Sequence, residues 1–255
     1  MNSINPYILE IFKTNSIRIS DEKSIPLTSN IDKNEGEFIW DILTENKFNS
    51  TIEIGCAEGI SSLFICDAIH SHSGHHTIID PYQEEQWDNV GIETLKKFGY
   101  SNFDLIELPS EYALPQLILE NKKYDFGFID GWHTFDQTIL DFYFLNRLIN
   151  IGGIIVIDDA LIPGVKRAVQ FFYRLPNFKL IGGINKINNN FKRILLEHGK
   201  SFLNIISRPL GYRIREEFFN FNVYNRSASN QLNFSMIAFK KTGDDLRPWN
   251  WHKDF

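Results

Sequence analysis

Thr51-Ile52-Glu53-Ile54-Gly55-Cys56-Ala57-Glu58-Gly59 is the stretch on which the reading of this chain turns. Thr51 to Ile54 predicts a short strand, and two glycines spaced four apart follow at once. Glycine lets the backbone turn sharply and lie close to a ligand. The apolar pattern resuming at Ile60 predicts a helix over 60–70, whose first N–H groups are free to meet that ligand. The spacing is GxxxG, not the GxGxxG of a dinucleotide site. Glu53 and Glu58 would repel a pyrophosphate but suit a cationic ligand.

Working outward, short β-rich runs recur at Thr51–Ile54, His76–Asp80, Phe103–Leu108, Tyr124–Asp130, Gly153–Asp158 and Phe178–Ile181. Helical patterns separate them near 60–70, 87–98, 111–121, 134–149 and 163–173. That alternation predicts βαβ units and an α/β, Rossmann-like fold. A final strand, Phe234 to Lys240, completes a mainly parallel seven-stranded sheet with helices on both faces. Ile154-Ile155-Val156-Ile157 is apolar on both sides, as a doubly covered strand should be. Thr134 and Gln137 have capping-box spacing ahead of an apolar face at Ile139, Phe142, Leu145 and Ile149. The expected organisation is an N-terminal cap or substrate segment (1–47), the ligand-binding core (48–183), an insertion (184–230) and the last strand with an aromatic tail (231–255). The tail carries Trp249, Trp251 and Phe255. Lys192, Arg193, Lys200, Arg208, Arg213 and Arg215 lie in the insertion, which reads as a lid, a contact in a homo-oligomer, or a helix packed on the core.

With 255 residues, 43% hydrophobic and 23% charged, one folded domain with additions is expected. A net charge of −6 argues against nucleic acid as a partner. Cys56 and Cys66 match neither a disulfide framework nor a zinc pattern, and no apolar run is long enough to span a bilayer. A cytoplasmic protein is the expectation.

Ligands of open α/β sheets sit at the carboxyl ends of the strands. Asp80 ends the second strand, where an acidic side chain can hold a ribose. Asp130, Asp158 and Asp159 end two strands expected to be neighbours, and three such carboxylates suit a hard divalent cation. His133, in the loop after Asp130, has the ordinary pKa of a base at neutral pH. Tyr82, Trp87 and Trp132 are placed to wall a pocket. His70, His72, His75 and His76 crowd the opposite edge and read as a solvated loop.

These motifs resemble the class I S-adenosylmethionine-dependent methyltransferases, and among them the small-molecule O-methyltransferases that act on catechols and macrolide sugars. The resemblance covers about residues 35–175. It rests on Glu53 to Ser62, Ile79-Asp80-Pro81-Tyr82, Ser110 to Leu117, Phe128 to His133 and Gly152 to Asp159. It implies that Glu53, Gly55, Cys56, Ala57, Gly59 and Ser61 surround the methionine portion of S-adenosyl-L-methionine. Asp80 would hold the ribose, Ser110 and Glu111 would flank the adenine, and Asp130 would border the cofactor. It further implies that Asp130, Asp158 and Asp159 hold Mg²⁺ or another divalent cation, and that His133 stands where the catechol enzymes carry a catalytic lysine. Asp159 departs from the amide found there in those enzymes. The implied activity is methylation of a small-molecule hydroxyl; metal-independent transfer and a non-catalytic scaffold are the alternatives. Nicotinamide chemistry is disfavoured by the missing GxGxxG.

Overall fold

The computed structural model describes residues 3–18, 24–185 and 232–251. The main sheet contains β3 (Ser50–Ile54), β4 (His75–Ile79), β5 (Phe103–Ile106), β6 (Tyr124–Ile129), β7 (Ile149–Ile157), β8 (Phe178–Ile184) and β9 (Met236–Lys241). Their spatial order is β5-β4-β3-β6-β7-β9-β8. The five strands from β5 to β7 run parallel, and β9 is antiparallel to both its neighbours. The order reverses direction between β3 and β6, which opens a crevice at their carboxyl ends.

Strand alternation sends each run of apolar residues to two different cores. Phe126, Phe128, Ile154 and Val156 face one, with α2 (Lys33–Asn46), α3 (Ile60–His70) and α4 (Val90–Lys97). Ile52, Ile54, Ile155 and Ile157 face the other, with α5 (Ser110–Leu119), α6 (Phe135–Leu148) and α7 (Pro163–Phe172). Ile154 through Ile157 are all buried, as the doubly apolar run requires.

The helix starts follow local chemistry. Asp32 and Glu35 form a complete capping box on α2. Thr134 caps α6 by accepting from Gln137 N, but the Gln137 side chain turns away to Ser110, Asp141 and Glu111. Ile149 opens β7 rather than continuing the apolar face of α6.

In the N-terminal stretch, α1 (Pro6–Thr14) starts on an Asn5 cap, and β1 (Ser16–Arg18) pairs with β2 (Ser24–Pro26). One expectation is corrected. His76 is not part of a solvated loop. It is fully buried in β4, with Nδ1 at 2.9 Å from Thr51 Oγ1 and Nε2 at 3.1 Å from a Glu53 carboxylate oxygen. The aromatic tail is split, with Trp249 exposed and Trp251 set edge-on against Phe171. Residues 186–231, which hold most of the predicted insertion (184–230), and Phe255 lie outside the described residues. Among the described residues, no helix is long and apolar enough to cross a membrane.

Candidate active site

The sheet itself positions the site. Gly55, Asp80, Asp130 and Asp158 each lie one residue beyond a strand and keep its ladder going by one bond. Gly55 N donates to Ile79 O at 2.9 Å, Asp130 N to Ile54 O at 2.9 Å, Asp158 N to Ile129 O at 3.0 Å, and Asp80 N to Ile106 O at 3.2 Å. Gly55 and the three aspartates line one cavity of about 640 Å³ at the carboxyl edge of the sheet. Gly55 has φ +88°, and a Cβ there would lie 2.1 Å from Asp130 O. Only glycine permits the first and third of these segments to touch.

At one end of the cavity, Gly55, Cys56, Ala57 and Ser61 form the wall above α3. Asp80 is buried beneath this loop. Its Oδ2 accepts from Cys56 N at 3.0 Å, Ala57 N at 2.9 Å and Gln83 Nε2 at 2.9 Å, and its Oδ1 from Tyr82 N at 2.9 Å. Glu53 and Gly59 stand behind this wall rather than in it. The fully buried Glu53 carboxylate accepts from Ser62 Oγ and meets His76. Glu58 turns the other way and accepts from Thr28 N, Thr28 Oγ1 and Ser29 N, at 2.6–3.2 Å. A carboxylate that the sequence suggested for a cationic ligand thus seats the N-terminal segment on the glycine loop. Ser110 and Glu111, at the start of α5, line the cavity farther along.

At the other end, Asp130, His133 and Asp159 converge, with ligand atoms all within 4.8 Å of one another. His133 Nε2 lies 3.0 Å from Asp130 Oδ1 and 3.5 Å from Asp159 Oδ2. The hydrogen bond to Asp130 raises the His133 pKa above its ordinary value, against the opposing effect of burial. Burial raises the Asp130 carboxyl despite His133. His133 (φ +58°) and Asp159 (φ +50°) both hold left-handed backbone that side chains seldom adopt, a conformation typical of functional loops. Asp158 lines the same cavity but is not in the convergent trio, which includes His133 instead. Its Oδ1 accepts from Asp159 N at 2.7 Å. Burial, then Asp130 and Glu35, push its carboxyl well above the usual range.

Tyr82, Trp87 and Trp132 line the mouth, with the Tyr82 and Trp132 rings 6.4 Å apart. The sequence reading missed several lining residues: Thr28, Ser29 and Asn30 before α2, Glu35 on α2, and Gln137 and Asp141 on α6. Asp141 had a signal, since it is an acid on the helix face that also carries Thr138, Phe142 and Leu145. Glu35 was legible only as a helix cap. Seven carboxylates line the cavity, and no Lys or Arg does so among the described residues.

Sheet order, a reversed penultimate strand in space and a ligand cavity at the carboxyl edge define the class I S-adenosylmethionine-dependent methyltransferase fold. Residues 52–160 match the family described as "Methyltransferase domain", so the chain carries a methyltransferase domain over that stretch. Solved structures share the fold at low identity. An O-methyltransferase from Bacillus cereus in complex with SAH has a TM-score of 0.54 at 14% identity, over 69% of this chain and 81% of that one. The SAH-bound methyltransferase PaMTH1 of Podospora anserina has a TM-score of 0.56 at 17% identity, over 70% and 83%. The O-methyltransferase TomG of Streptomyces achromogenes, involved in tomaymycin synthesis and in complex with SAM, has 0.53 at 17%, over 60% and 73%. No curated protein matches in sequence.

Proposed function

We propose that the chain transfers a methyl group from S-adenosylmethionine to a hydroxyl of a small molecule, with a divalent cation at the acidic end of the cavity. The observation that carries this reading is a single cavity joining the Gly55 loop and Asp80 to Asp130, His133 and Asp159. The residues fit a cation. Asp130, Asp158 and Asp159 offer hard oxygens, and the carboxyls of Asp130 and Asp158 are raised, first by burial and then by neighbouring carboxylates. These three would hold the ion, with His133 beside them.

A bound sulfonium supplies an electrophilic methyl group, and a cation here lowers the pKa of an acceptor hydroxyl. The protein's residues do the rest. The Gly55–Ala57 backbone and Ser61 bind the amino-acid end, Asp80 the ribose, and Ser110 with Glu111 the purine. His133 keeps its Nε2–H on Asp130 and receives the hydroxyl proton at Nδ1, and Asp130 and Asp159 stabilise the resulting imidazolium. Tyr82, Trp87 and Trp132 shield the reacting groups from water. The test is transfer of radiolabelled methyl from S-adenosylmethionine to a panel of catechols and sugars, with Mg²⁺ and with EDTA. Turnover that needs Mg²⁺ supports the reading. Turnover indifferent to EDTA would leave the His133–Asp130 pair as the whole activating device.

A further inference from the structure

Asp141 is an acid in the middle of α6, 1% exposed, yet it lines the cavity. Its side-chain hydrogen-bond partners, Ser110 and Gln137, are neutral. Ser110 Oγ lies 2.6 Å from its Oδ1 and Gln137 Nε2 lies 3.2 Å from the same oxygen. Burial pushes the Asp141 carboxyl up to about 6, so at pH 8 it is ionised and can only accept. The proton in the 2.6 Å contact therefore belongs to Ser110. The Gln137 amide also donates to Ser110 Oγ at 2.8 Å and approaches Glu111 at 3.4 Å. Both of its hydrogens are thus engaged within the wall. A serine hydroxyl has one donor and two acceptor sites. With the donor given to Asp141 and one acceptor site taken by Gln137, Ser110 has only a lone pair left for the cavity.

We infer that Asp141 is a positioning residue that fixes the hydrogen-bond polarity of Ser110, so that this wall accepts from the 6-amino group of a purine and rejects a 6-oxo purine. The inference rests on the assignment of this end of the cavity to the adenine of the cofactor. Without Asp141 the hydroxyl is free to rotate and donate, and the preference between the two bases is lost. A buried carboxylate among neutral partners is costly for the fold, and this selectivity is what it provides.

The test is calorimetric titration at pH 8 of the full chain with S-adenosylhomocysteine and with its 6-oxo analogue, S-inosylhomocysteine. The wild type should prefer the amino compound by roughly 10- to 100-fold, the scale of one mismatched buried hydrogen bond. D141A should bring the two affinities within about threefold of each other. D141N should retain the preference, because two donors converge where its side-chain oxygen would sit. S110A, which has no hydroxyl to orient, should also lose the preference, and it answers the question if D141A does not fold. An unchanged ratio in D141A and S110A, even with both affinities weakened, would overturn the inference and leave Asp141 a structural residue. Failure of the wild type to bind either compound would overturn the adenine assignment itself, an outcome distinct from binding without discrimination.

Discussion

Replacing Asp80 by Asn should destabilise the protein before any ligand is added. The carboxylate holds three backbone N–H groups, of Cys56, Ala57 and Tyr82, together with the Gln83 amide. An Asn side chain has one acceptor oxygen. Its better orientation keeps that oxygen on Cys56, Ala57 and Gln83 and turns its NH₂ toward Tyr82 N–H, so one bond is lost and two donors face each other. Hydrogen bonds to a charged group contribute about 1.5–3 kcal/mol, and the three that remain weaken to neutral strength. The expected loss is about 2–4 kcal/mol, or roughly 5–15 °C in melting temperature for a chain of this size. Urea and thermal unfolding of ligand-free protein measure it, followed by titration with S-adenosylhomocysteine. If ligand-free stability is unchanged while binding is abolished, Asp80 acts only on the ligand and its role in holding the glycine loop is refuted.

Gly55→Ala should be worse, because its Cβ meets the Asp130 carbonyl. A loss of more than about 3 kcal/mol in unfolding experiments is expected, and a near-neutral effect would show that the two loops do not touch as described. Glu58→Ala removes all acceptors for Thr28 and Ser29, so amide exchange over residues 28–31 should accelerate by about tenfold or more while β6 and β7 stay protected. Asp141 titrates at about 6 when folded, above the ordinary 3.8, so the folded state binds its proton more tightly. Stability from this group is therefore full below pH 4 and falls as pH rises to 6. D141N should gain about 3 kcal/mol relative to wild type between pH 4 and pH 7, and parallel stability curves would contradict this.

The sheet and its helices were legible because both cores draw on regular alternation. Strands such as Ile154–Ile157 declare burial on two faces, and glycine turns mark their ends. Asp80, Asp130 and Asp158 were legible for a related reason, since each immediately follows a strand. The convergence of His133 with Asp159 was not, because it depends on left-handed backbone at two non-glycine residues. Glu58 misled, since a carboxylate beside a glycine turn has the same appearance whether it faces a ligand or a loop 30 residues upstream. His76 misled because its neighbours His70 and His72 suggested solvent, whereas its pairing opposite Thr51 buries it beside Glu53. The short β1 and β2 carry too few residues for a periodic signal, and Asp141 has its meaning only through Ser110 on another helix.

The central claim is that the cavity at the carboxyl edge of β3 and β6 binds an S-adenosyl compound. Calorimetric titration of the full chain with S-adenosylhomocysteine tests it most directly, first in EDTA and then with Mg²⁺. Micromolar, one-to-one binding in both conditions is predicted, with a separate Mg²⁺ heat that disappears in Asp130→Ala. No heat at millimolar ligand in either condition would contradict the account.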